Sequence, residues 1–177
     1  MNIMVLGCSG GGKSTTAAKL AEIFDLRAIH LDLYLWKAGW VQRDTEDIQA
    51  LLLPEIEKDG WVTDGNHSNG CYAERLEKTD MLVWVDMPRW RCMLNIFLRV
   101  WKYRGKTRPS MTEGCPERFD WEFAVYVWNF KHNKGKRLAE LFEQVKHEKR
   151  LYRLKNYDEL NQFLSEMTRE SDFQQKT

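Results

Sequence analysis

The segment Gly7-Cys8-Ser9-Gly10-Gly11-Gly12-Lys13-Ser14 decides how this chain is read. Three consecutive glycines let the backbone curl until its N–H groups converge on anionic oxygens, and a helix starting there adds its positive dipole end. Lys13 supplies a mobile charge for β and γ phosphates, and the Ser14 hydroxyl is a Mg²⁺ ligand in such loops. The flanks agree: Asn2 to Leu6 is an apolar run suited to a central parallel strand, and Thr15 to Ile23 continues as a helix. The expected nucleotide contacts are therefore Gly7, Ser9, Gly10, Gly11, Gly12, Lys13, Ser14 and Thr15, with ATP and Mg as the implied ligands.

Outward from the loop, strand and helix patterns alternate. Arg27 to Leu31 reads as a second strand ending in Asp32, and Trp61 to Thr63 as a third delivering Asp64, Gly65 and Asn66. Met81 to Val85 is an apolar run between Asp80 and Asp86, and Arg150 to Leu154 a final strand. Between them, Asp44 to Leu53 suits a helix that Pro54 should end or kink. Trp90, Met93, Leu94, Phe97 and Trp101 recur at spacings of three and four, a stripe expected to face the sheet. Helices are also expected over Trp121 to Phe130, Arg137 to Lys146 and Tyr157 to Met167. The fold expected is α/β: a five-stranded, doubly wound parallel sheet of the P-loop, nucleoside-monophosphate-kinase type with a helical lid insertion. Residues 1–170 form one domain in this reading, with the lid over about 103–137 and a polar, disordered end from about Thr168, the tail proper being 171–177.

The chain has 177 residues, enough for one such core. Lys and Arg total 27 against 26 Asp and Glu, so the net charge of +1 creates no global field for nucleic acid or anionic membrane. Four widely spaced cysteines without a Cys-x-x-Cys pair suggest neither a zinc site nor a disulfide framework, and reduced thiols point to the cytoplasm. No run is long enough to span a bilayer, so no membrane partner is expected.

Ligands of doubly wound sheets sit beyond the C-terminal strand ends, where the loop, Asp32 and Asp64 fall. Asp64 is the candidate to hold Mg²⁺ through water, and Asp32 to orient or deprotonate an acceptor hydroxyl; helix or turn capping is the plain alternative for both. Arg99 to Arg108 holds five basic residues, Arg99, Lys102, Arg104, Lys106 and Arg108, and no acid. Followed by a Gly- and Pro-rich stretch, it reads as a basic lid closing over triphosphate, with Arg99, Arg104 and Arg108 as catalytic candidates. A solvated face and a groove for a nucleic-acid backbone are the competing readings. Trp36, Trp40 and Asn66, with Asp32, are the acceptor-side candidates, the tryptophans as stacking surfaces or as packing.

Taken together, Leu31-Asp32 with Trp36 and Gly39-Trp40, Asp64-Gly65-Asn66, Asp86-Met87-Pro88-Arg89, Tyr103 to Pro109 and Glu113 to Glu117 resemble the DNA topology modulation proteins, which are adenylate-kinase-related. The resemblance covers residues 1 to about 155. It implies an adenylate-kinase-like fold, ATP binding and phosphotransferase ancestry. Adenylate kinases themselves carry phosphate-gripping arginines where this chain has Leu35 and Ser68, so a hydroxyl acceptor is expected rather than a nucleoside monophosphate, unless Lys37, Arg75, Arg89 or Arg91 substitutes in space. The expectation is a Mg-ATP-dependent phosphotransferase with a small acceptor. Its alternatives are a nucleotide-gated DNA-binding regulator and an ATPase switch without acceptor.

Overall fold

A computed structural model describes residues 1–174. Five parallel strands form the sheet: β1 (Asn2–Gly7), β2 (Arg27–His30), β5 (Trp61–Asp64), β6 (Met81–Val85) and β7 (Arg150–Leu154), in the order β2-β5-β1-β6-β7. β1 is central because all six of its residues are buried, which a strand covered on both faces requires. Its register sets Val5 beside Asp64 and Gly7 beside Val85, while His30 pairs with Asp64 across β2 and β5. The chain order reverses at β1, so the crevice of a doubly wound sheet opens above that strand. The expected sheet is the observed one.

Helices α1 (Lys13–Phe24), α2 (Leu31–Leu35), α3 (Thr45–Glu57), α4 (Tyr72–Lys78), α5 (Arg89–Lys102), α6 (Trp121–Asn129), α7 (Lys134–Val145) and α8 (Tyr157–Gln174) surround it. A two-residue hairpin, β3 (Trp36–Lys37) with β4 (Val41–Gln42), follows α2. The hairpin and α4 have no counterpart in the sequence reading. Asp32 does not end a strand either: it lies in the first turn of α2.

Two expectations are corrected outright and a third, that Pro54 ends or kinks α3, in its first alternative. Pro54 does not end α3, which runs on to Glu57. The ring removes one helical hydrogen bond, but Leu52 and Ile56, one turn apart on either side of it, are fully buried and hold the helix to the core. The aromatic stripe of α5 does not face the sheet. Cys92 and Ile96 are the residues buried there, whereas Trp90, Leu94, Phe97 and Trp101 are exposed, Trp101 by 81%. The cause is close approach of the phosphate loop: a Cβ at Gly10 would lie 2.3 Å from the Cys92 carbonyl oxygen, so α5 meets the loop through its narrow face. Finally, the polar end expected to be disordered from about Thr168 is helical as far as Gln174. Phe163, Leu164 and Met167 are buried, the Ser171 hydroxyl donates to the Ile23 carbonyl at 2.6 Å, and Arg150 grips Glu170 through two 2.7 Å bonds. The rest of that expectation, 175–177, lies outside the described residues.

Candidate active site

The phosphate loop joins β1 to α1 and is braced by nearby groups. The Gly11 N–H donates to the Cys8 carbonyl at 3.1 Å, and the Thr16 hydroxyl to the Gly12 carbonyl at 3.0 Å. Asn66, just beyond β5, clamps the loop's entry: its Oδ1 accepts from the Gly7 N–H at 3.0 Å and its Nδ2 donates to the Gly7 carbonyl at 2.6 Å. From α5, Asn95 Nδ2 donates to the Gly10 carbonyl at 2.7 Å. Lys13 curls back so that Nζ donates to the Cys8 carbonyl at 3.0 Å. Burial pushes its ammonium below the ordinary lysine range, against the opposing pull of Asp64.

Asp64 is buried at the end of β5, with the Ser14 hydroxyl against it and His30 Nδ1 3.0 Å from its Oδ1. Burial by itself would raise this carboxyl. Hydrogen bonding from His30, followed by the His30 charge and the Ser14 and Lys13 contacts, outweighs it and holds the group below the usual carboxylate range. The same hydrogen bond raises His30 above an ordinary histidine. The cross-strand register of His30 and Asp64 was the available signal for this pair, and sequence reasoning passed over it.

Opposite the loop, Arg108 Nη2 donates to Asp32 Oδ2 at 2.6 Å, and His67 Nε2 lies 3.7 Å from Asp32 Oδ1. Burial lowers His67 despite the nearby Asp32 carboxylate. Arg99 Nε and Arg108 Nε converge on one oxygen of buried Glu117, at 3.0 and 3.4 Å. None of these three atoms is aligned for a hydrogen bond, so two guanidinium N–H groups are buried without one. Burial, then the neighbouring Arg108 charge, lowers Arg99.

The segment expected to form a lid is stapled to α2 and to the hairpin after it. Trp40 Nε1 donates to the Pro116 carbonyl at 3.1 Å, the Gly39 N–H to Gly114 at 2.8 Å, and the Thr112 hydroxyl to Leu33 at 3.1 Å. Gly114 has φ +80°, and a Cβ there would lie 2.7 Å from Ala38 Cβ, so the two segments meet this closely only because the residue is glycine.

One cavity of about 1080 Å³ runs between these walls. Ser9, Gly10, Gly12, Lys13, Ser14 and Thr15 line one side, and Asp32, Trp36, Trp40, Asp64, Asn66, Arg99 and Arg108 also reach it. Gly7 and Gly11 do not line it; their backbones brace the loop. The Asn66 amide touches the cavity but is engaged by Gly7. Arg104 is the catalytic candidate left outside, since its exposed side chain follows a turn at Tyr103–Gly105 and only its backbone bridges to Glu117. Lys102, Arg118 and Lys134 line the cleft and had not been singled out as site residues. None of the proposed arginine substitutes lines it either: Arg75 is fully buried against Gly70, His67 and Thr63, Lys37 pairs with Asp47, Arg89 lies over Trp128, and Arg91 over Trp90 and Tyr157.

No family model matches the chain, and no curated protein matches it. Among solved structures, the chain resembles shikimate kinase from Acinetobacter baumannii in complex with shikimate, at 14% identity and a TM-score of 0.55, over 94% of this chain and 89% of that one. It also resembles deoxyadenosine kinase from M. mycoides with bound dCTP, at 10% identity and a TM-score of 0.46, over 94% and 98%. At such identities the likeness concerns fold, and it is the α/β fold of P-loop kinases.

Proposed function

We propose that this chain is a Mg²⁺-dependent kinase that moves the γ-phosphoryl of ATP to a hydroxyl of a small acceptor. The observation carrying this reading is a single cavity with the phosphate loop on one wall and the Asp32 carboxylate on the other, cationic side chains between them. Asp32 takes the proton of the acceptor hydroxyl as its oxygen bonds to the γ phosphorus, and the bond from that phosphorus to the bridging oxygen breaks to release ADP. Lys13, Arg99 and Arg108 stabilise charge on the transferring group; the unaligned guanidinium N–H groups beside Glu117 are donors ready to turn toward it.

Ser14 and Asp64 offer the hard oxygens suited to Mg²⁺. Mg²⁺ takes few protein ligands and completes its shell with water and phosphate. When bound, Mg²⁺ neutralises phosphate charge. Lys13→Ala should lower turnover by about 10³-fold and abolish ATP binding at micromolar nucleotide. Undiminished binding and turnover by that variant would end the kinase reading. Conversion of ATP and AMP to ADP by the parent protein, at roughly 1 to 100 per second, would overturn the hydroxyl acceptor.

A second reading, nucleic-acid binding, is favoured by the exposed Trp90 and Trp101 on α5, with Arg91 over the Trp90 ring and the exposed Arg104 just beyond the helix. It requires duplex or single-strand affinity to fall steeply between about 50 and 200 mM salt, and a flat titration removes it. No helix among the described residues is long and apolar enough to cross a membrane.

A further inference from the structure

A second cavity, of about 330 Å³, opens beside the cleft between α4 and α7, walled by Ser68, Tyr72, Arg137 and Leu141 together with Asn66 and Lys134. Asn66 and Lys134 line both cavities, so the smaller one is a side chamber of the larger. Its size suits a small group rather than a whole cofactor, being at the lower end of ligand pockets, which start at about 300 Å³.

Its charge is unusual. Lys134 and Arg137 are three residues apart on α7, hence on one side of the helix, and among the described residues neither pairs with an acid. Lys134 has only the Tyr126 ring, 5.7 Å from its Nζ. Burial lowers its ammonium, and the Arg137 charge lowers it further. The first turn of α7 contains no acidic residue, so these cations stand at the helix end that is already positive. Glu140, the one acid in the wall, is a further turn along α7 and makes no ion pair with either. The two adjacent cations, Lys134 half-buried and Arg137 exposed, give the mouth of the cavity a positive charge that no acidic side chain there neutralises. Nearby, His67 Nε2 lies 3.7 Å from Asp32, and its chain neighbours Asn66 and Ser68 line the side chamber, which sets the chamber close to the proposed hydroxyl position.

We infer that the acceptor carries an oxyanion, a carboxylate or phosphate group, that seats between Lys134 and Arg137 in the side chamber while its hydroxyl faces Asp32. This rests on the kinase reading and narrows it to anionic hydroxyl compounds. Arg108 faces Asp32 and Glu117 in the main cleft and does not line the side chamber.

The test fills the phosphate loop with Mg²⁺ and a non-hydrolysable ATP analogue, then titrates inorganic phosphate and, separately, succinate by calorimetry. At least one binds the parent protein at millimolar concentration, and the stronger of the two identifies the group. Arg137→Gln, at an exposed position that tolerates the change, weakens that binding at least tenfold and leaves analogue affinity within twofold; Lys134→Gln weakens it likewise. Absence of oxyanion binding once the loop is filled, or equal affinity in both variants and the parent, overturns the inference. Lys13→Ala separates this from the kinase reading, because it should lose the nucleotide and keep the oxyanion. Normal nucleotide binding by that variant counts against the kinase alone.

Discussion

The two walls of the cleft are built in opposite ways. On the nucleotide side, Lys13 bonds to Cys8, Thr16 to Gly12 and Gly11 to Cys8, all within one short loop and the turn after it. On the acceptor side the partners come from far along the chain: Asp32 and Arg108 are 76 residues apart, Trp40 and Pro116 also 76, and Thr112 and Leu33 79. The loop's own bonds form with β1 and α1, and two distant side chains, Asn66 on Gly7 and Asn95 on Gly10, then brace it from outside. The distant wall exists only while the lid is seated, so nucleotide binding and acceptor chemistry should respond differently to the same kind of damage.

The sharpest way to break this contrast is Asp32→Asn. It should reduce phosphoryl transfer by about 10³-fold while ATP affinity stays within about threefold, as measured by rapid-quench turnover and nucleotide titration. Equal loss of both would mean that the walls are not separable. The reciprocal change, Asn66→Ala, removes two bonds to Gly7 and should cost about 2 kcal/mol, a fall of roughly 6 °C in thermal midpoint, together with weaker ATP binding. A variant that lost acceptor affinity instead would place Asn66 on the other wall.

The smallest effect concerns pH. His30 is raised above 6.5 in the folded protein, so its contribution is complete below 6.5 and is lost as pH rises through the raised value. Asp64 is lowered below 3.8, so its share is present above 3.8 and disappears as pH falls through the lowered value. Between these limits the pair is intact. Nucleotide-free protein should therefore lose at most about 3 °C of thermal midpoint as pH rises from about 6.5 through the raised His30 value, and His30→Gln should flatten that slope. An unchanged slope would assign the loss to other groups. His67 is lowered and acts below pH 6.5, outside this window.

The same contrast explains what could be read from the sequence. The loop, the central strand and the strand-end carboxylate Asp64 were legible because residue type and neighbours specify them, whereas Asp32 was read as ending a strand and lies in α2. Arg108 was found as a member of a basic run and Asp32 as a carboxylate near the loop, but their pairing was not, and Glu117 was missed because its role depends on the lid folding back. Arg104 was included on charge alone, although a turn carries it out of the cleft. The α5 stripe shows the ambiguity of apolar spacing: the three-and-four pattern was real, but Gly10 against Cys92 decided which face turned inward. Lys134 gave no signal, since a lysine opening a helix looks like any surface lysine until the helix is docked.

The bonds of Gly39 to Gly114 and of Trp40 to Pro116 carry a kinetic consequence. With hairpin and lid fastened together, product release in the proposed transfer is expected to require that the two segments part. Steady-state rates should then follow an intersecting, sequential pattern rather than a ping-pong one, and the turnover number should report how often that clasp opens rather than how fast phosphorus changes partners.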